Sequence, residues 1–193
     1  MTQLLAAWRR TGPDDEGHSI ARLEQRGNTW WSMGEEVLRR SDGPIGCRFE
    51  VELGLDWIPR VIVAQAVGRD GSRTLDLRRD RDGRWFRSGD EAAELLGCLD
   101  VDLAATPLTN TYPIRRNAGL AVNESRTAPV AWVEVPSLRV LRVDQTYRRL
   151  GPSGEEPGVE AWEYGDPKHG AFRLTVDRDG LVVSYEGFAE RIA

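Results

Sequence analysis

The run CLDVDLAATPLTNTYPIRR, Cys98 to Arg116, gathers more chemically capable side chains than any other stretch of the chain. Asp100 and Asp102 stand two apart. Side chains alternate along a strand, so both carboxylates leave one face while Leu99, Val101 and Leu103 leave the other. Two carboxylates so placed could ligate a divalent cation or divide acid and base roles. The plainer reading is a polar strand face paired with arginines, because no histidine or third acid stands near them in sequence. Thr106, Thr109, Asn110 and Thr111 offer short donors and acceptors suited to sugar hydroxyls or a headgroup. The same residue types also cap helices and bond their own backbone in turns. Arg115 and Arg116 follow Pro113. From an extended backbone they would point to opposite sides, one inward to an anionic group and one to solvent. The alternative is an ion pair for each with a nearby acid.

Tryptophan is the other conspicuous type. Trp8, Trp30, Trp31, Trp57, Trp85, Trp132 and Trp162 are many for 193 residues. Core packing accounts for most of them. The adjacent Trp30 and Trp31 must face opposite ways on a strand, so one can line a pocket for a sugar or lipid, and Trp57 either joins it or anchors a turn. The two histidines, His18 and His169, lie outside any Ser/His/Asp spacing. Neither a nucleophile elbow, nor a P-loop, nor a dinucleotide fingerprint is present. Cys47 and Cys98 form no metal-ligand spacing and read as free, buried thiols. The sequence therefore points to no catalytic residues, metal or cofactor.

The elements that must position these residues are strands. In Ile45-Gly46-Cys47-Arg48-Phe49-Glu50-Val51-Glu52-Leu53 the odd positions are apolar and the even ones mostly charged, the mark of a half-buried strand. Phe172, Leu174 and Val176 repeat the pattern. Asp70-Gly71, Asp82-Gly83 and Asp179-Gly180 each sit between such runs and suit tight hairpins. About a dozen strands result, mostly antiparallel because the turns are too short for parallel crossovers. Helix is scarce. Asp90–Leu96 before Gly97 predicts two helical turns. Thr106-Pro107 predicts a short helix over 107–112, which Pro113 would stop or kink. The Gly- and Pro-rich stretch 150–158 reads as a surface loop inside a single domain spanning 1–193. So large a sheet, with few helices to cover it, must curl and leave an interior cavity.

Composition narrows the partners. The net charge is −5, and acids and bases alternate instead of forming blocks, which argues against nucleic acid. Lys168 is the only lysine, so the basic charge is nearly all arginine. The first sixteen residues lack the basic start and apolar core of a signal peptide, and no run approaches a membrane span. The expectation is a cytoplasmic protein without stable membrane insertion.

Residues Gly97–Arg116 resemble the signature of the bacterial putative glycolipid-binding family: Gly-Cys-hydrophobic-Asp-Val-Asp-hydrophobic, then Thr-Pro-x-Thr-Asn-Thr-x-Pro-Ile-Arg-Arg. The match is ungapped over about twenty residues. Trp8, the Arg-rich strand into Trp85 and the closing stretch Leu174–Tyr185 look familial as well. The resemblance implies a fold similar to the periplasmic lipoprotein carriers: mainly β, a large curled antiparallel sheet forming an open or half-closed barrel, with one or two short helices as plug or cap. It implies a lipid or glycolipid as ligand and supplies no catalytic residue.

These readings together lead to a protein that binds an amphiphilic small molecule in a cavity of a curled sheet, without catalysis. Asp100, Asp102, Thr109, Asn110, Arg115, Arg116, Trp30 and Trp57 are the candidate contacts. Two alternatives stand beside it. One is an enzyme using Asp100 and Asp102 on a glycosylated or phosphorylated small molecule. The other is a protein-interaction module using exposed sheet edges.

Overall fold

A computed structural model describes residues 2–12, 16–154, 156–167 and 169–193. The chain enters as a meander. Strands β1 (Gln3–Arg10), β2 (Glu16–Arg26), β3 (Thr29–Arg40), β4 (Gly43–Gly54), β5 (Pro59–Gly68), β6 (Gly71–Arg79), β7 (Trp85–Arg87) and β8 (Asp90–Glu91) pair in succession, all antiparallel. Strand β9 (Asp100–Leu103) and a second meander follow: β10 (Ser125–Val133), β11 (Val140–Pro152), β12 (Glu160–Asp166), β13 (Gly170–Val176), β14 (Val182–Tyr185) and β15 (Ala189–Arg191). Pairing of β1 with β15 joins the two into one sheet of 15 strands, ordered 8-7-6-5-4-3-2-1-15-14-13-12-11-10-9.

Topology forces this sheet to curl. Its edge strands, β8 and β9, are consecutive in sequence, and only residues 92–99 lie between them. Laid flat, fourteen interstrand spacings of about 4.8 Å would put the edges roughly 67 Å apart. Eight residues reach about 30 Å at full extension. The sheet therefore bends until its edges approach, but β8 and β9 do not pair, so the barrel stays open.

The same connection corrects one expectation. Instead of two helical turns over Asp90–Leu96, the chain makes a two-residue strand and a single 3-10 turn, Ala93–Leu95. A helix that short is unstable on its own, and the link must stay extended to cross the opening.

Among the described residues, the one α-helix exists because of the one parallel pair. β9 and β10 run parallel, in register Asp100 with Val130 to Leu103 with Val133. Parallel neighbours need a crossover of a dozen or more residues. Residues 104–124 make it, through a 3-10 turn, Leu108–Asn110, and helix α1, Thr111–Arg116. Residues 105–114 are buried without interruption, so this segment plugs the concave face. The Thr106 hydroxyl accepts from the Leu108 N–H at 3.3 Å, the cap that Thr-Pro predicts. Pro113 ends nothing. It lies in the first turn of α1, where an N–H has no intrahelical acceptor to lose.

Apolar packing holds the plug from two sides. Leu108 and Tyr112 join the core on the inner face of β1–β6, with Phe49, Val51, Leu53 and Ile62. Ile114 joins a second cluster with Tyr147, Trp162 and Leu174. Each such side chain contributes about 1.5–3 kcal/mol on burial. Among the described residues no helix is long and apolar enough to cross a membrane.

Candidate functional site

Beside the plug the curl leaves a cavity of about 680 Å³. Its floor is the end of β9 and the start of the plug: Asp102, Ala104, Thr106 and Asn110. One side is formed by the β3–β4 and β5–β6 hairpin ends, with Arg40, Asp42, Arg69 and Asp70. The β10–β11 connection contributes Glu134 to Ser137. The opposite side is aromatic.

That wall is assembled by strand register. Tyr164 on β12 pairs with Phe172 on β13, and Leu174 pairs with Tyr185 on β14, so the three rings share one face. Tyr164 lies 6.5 Å from Phe172 and 5.9 Å from Tyr185, and Tyr185 lies 4.7 Å from Phe188 between ring centroids. Phe172, Tyr185 and Phe188 are half-buried, leaving ring surface toward the cavity. The Arg10 guanidinium carbon sits 3.4 Å from the Phe188 centroid, a cation–π contact that closes the row.

Asp102 is the polar centre. Thr109 Oγ1 donates to its Oδ1 at 2.8 Å, and Gln145 Nε2 donates to its Oδ2 at 2.7 Å. Gln145 Nε2 also donates to Tyr164 Oη at 2.9 Å, and Tyr164 in turn donates to Asp166 Oδ2 at 3.3 Å. Asp166 meets His169 Nδ1 at 3.0 Å in the β12–β13 turn. A hydrogen-bonded chain thus runs from the floor to the exposed rim. Enclosure by protein raises the Asp102 carboxyl above its ordinary range. The hydrogen bonds from Gln145 and Thr109 oppose that rise, and the nearby Asp100 and Asp166 add to it. Burial likewise raises the Tyr164 and Tyr185 phenols, so both remain donors at neutral pH.

A family model described as "Putative glycolipid-binding" matches residues 5–191. The chain belongs to this family. A DUF1089 family protein from Pseudomonas aeruginosa, solved as a crystal structure at 1.80 Å, is similar in fold: TM-score 0.75, 29% identity, 90% of this chain and 92% of that one covered. No curated protein matches the chain.

Within this member of the family the two aspartates part company. Asp100 is buried and takes both terminal guanidinium nitrogens of Arg116, with Nη1 to Oδ1 at 2.6 Å and a second contact from Nη2. Asp102 faces the cavity. Thr109 lies behind Asp102. Asn110 reaches the cavity while its Oδ1 accepts from Tyr147 at 2.7 Å and its Nδ2 donates to Pro107 O at 3.1 Å. Arg115 and Arg116 leave a helix, not an extended chain. Arg115 extends over the Trp57 ring, 4.7 Å from its centroid, and donates to Asp179 O at 3.2 Å. Trp57 stacks on Trp30 at 4.8 Å. Asp100, Arg115, Arg116, Trp30 and Trp57 thus surround the plug and are absent from the cavity lining.

Several residues at the cavity or buried behind it carried no signal of their own in the sequence. Gln145 and Tyr164 are ordinary strand residues, brought to Asp102 from 43 and 62 positions away. Phe172 did carry one, since its period-two pattern with Leu174 and Val176 places it on the inward face. Glu36 was hidden by its alternating strand. It is buried beside Arg10, Ser19 and Thr106.

Proposed function

We propose that this chain, acting as one domain, binds an amphiphilic small molecule, a lipid or glycolipid, in the cavity beside the plug and performs no chemistry on it. The observation that carries this reading is the cavity itself. Its volume falls in the range of small-molecule sites, and it combines an aromatic wall with convergent polar groups. Asp102 and Asn110 are the ligand contacts among the residues singled out from sequence. Trp30, Trp57, Arg115, Arg116, Asp100 and Thr109 serve by holding the plug that shapes the floor. Both cysteines are free and buried, which supports a reducing compartment such as the cytoplasm.

Less supports an enzyme using Asp100 and Asp102 as a pair, because Asp100 is committed to Arg116 and absent from the cavity wall. An interaction module built on sheet edges gives no role to the cavity. The test is native mass spectrometry of gently purified protein, followed by titration with fluorescent fatty acids and alkyl glycosides. A co-purified added mass and saturable binding are expected. Absence of both would overturn the reading.

A further inference from the structure

The cavity is furnished better for a sugar than for an acyl chain. The inward aliphatic residues of β4, Ile45 to Leu53, belong to the filled core against which the plug packs, and of these only Ile45 reaches the cavity. Beside Ile45, Leu103, Val135 and two prolines, the space is lined by charge, hydroxyl and ring. Four arginines face it against six carboxylates, so its net charge is negative. Of the arginines, Arg10 lies on Phe188 and donates to Ala105 O at 3.3 Å, and Arg40 donates to Val135 O at 2.9 Å. The Arg115-Arg116 pair, the obvious anion clamp in the sequence, is turned to Trp57, Asp179 and Asp100. An anionic headgroup would meet repulsion here.

Resting on the amphiphile reading above, we infer that the cavity takes the uncharged carbohydrate head of a glycolipid, stacked on Phe172 and Tyr185 and hydrogen-bonded through its hydroxyls to Asp102 and Asn110, with the lipid tail left at the mouth. A pyranose ring has an apolar C–H face that lies flat on an aromatic ring, and an equatorial edge of hydroxyl donors. The wall supplies the first and the floor the second. Each Asp102 oxygen accepts one hydrogen bond within the protein and keeps a lone pair for a ligand hydroxyl. The Thr109 and Gln145 bonds hold the carboxylate in one orientation, so it is ready to receive a pair of adjacent hydroxyls.

The test compares methyl and octyl glycosides of glucose, galactose, mannose and N-acetylglucosamine, below their micelle concentrations, with octanoate and octyl sulfate. Binding is read by calorimetry and by ligand-observed NMR. At least one glycoside should bind saturably, with methyl and octyl forms within tenfold of each other and the anionic amphiphiles weaker. A buried tail would instead add roughly fourfold per methylene, or about 10⁴-fold across the octyl chain. Asp102→Asn should weaken glycoside binding at least tenfold. In case that change loosens the plug, Phe172→Leu keeps apolar bulk, removes the ring face and should weaken the same ligand by a similar factor. Preference for the octyl forms by a thousandfold, or binding of octanoate or octyl sulfate alone, would overturn the headgroup assignment and leave the amphiphile reading standing. Failure of every probe, tails included, would overturn both.

Discussion

Replacing Asp100 by asparagine tests whether the arginine of the central motif is structural. The Asp100 side chain is 4% exposed and that of Arg116 18%, and the two meet through both terminal guanidinium nitrogens. Removing one partner of a buried pair strands the other charge, at about 3–5 kcal/mol. The amide keeps one acceptor for one guanidinium N–H, so the lower end, about 3 kcal/mol, applies. Proteins of this size are stable by about 5–15 kcal/mol in total. At about 2–4 °C per kcal/mol, Tm should fall by roughly 6–12 °C. Urea unfolding at neutral pH gives the free energy, and a thermal melt gives the shift. The double variant Asp100→Asn with Arg116→Met removes the stranded cation as well. Its loss should be smaller than the sum of the single losses, by about 0.5–3 kcal/mol. A single-variant cost under about 0.5 kcal/mol, within the usual range for surface changes, would refute the claim that this pair anchors the plug.

Two further substitutions probe the interior. Burial pushes the Glu36 carboxyl from 4.5 up to about 8, against the opposing pull of the neighbouring Thr106 and Ser19 hydroxyls and the Arg10 guanidinium. The folded state therefore holds a proton that the unfolded chain releases, and this contribution is full below about pH 4.5 and lost as pH rises through 8. The slope is at most about 1.4 kcal/mol per pH unit. Glu36→Gln should flatten it, and urea midpoints taken across that window will show whether it does. Gly180 has φ +75°, and a Cβ there would lie 2.8 Å from Arg115 Cδ. Gly180→Ala should cost about 1–2 kcal/mol in urea unfolding. Gly71→Ala, at φ +93° with open space around it, is the control and should cost less.

Much of the sheet was legible because alternation is a local signal. Ile45, Cys47, Phe49, Val51 and Leu53 are all buried on one face of β4, as their spacing requires. Asp70-Gly71, Asp82-Gly83 and Asp179-Gly180 all stand at turns between strands, with glycine φ of +93°, +85° and +75°. Helix was harder to read. Pro113 looked like a stop because a breaker's meaning depends on its place in the helix, and the start of α1 depends on the crossover from β9 to β10. Asp90–Leu96 looked helical because its acids and terminal Gly97 satisfy local rules, while the span between the two sheet edges prevailed.

Residue types and spacing were enough to determine that the chain is built of strands, that Asp100 and Asp102 share a strand face, and that Thr106 caps the segment after them. Neighbours in sequence encode these features, so no distant contact is needed to produce them. Only the tertiary structure decided which aspartate receives an arginine and which faces the cavity. Tyr164 and Phe172 reach that cavity, and Gln145 reaches Asp102, from the far half of the sheet. Their approach depends on the pairing of β1 with β15 and on an edge-to-edge link too short for a flat sheet. A curl set by chain connectivity has no local periodicity, and the site it creates therefore has none either.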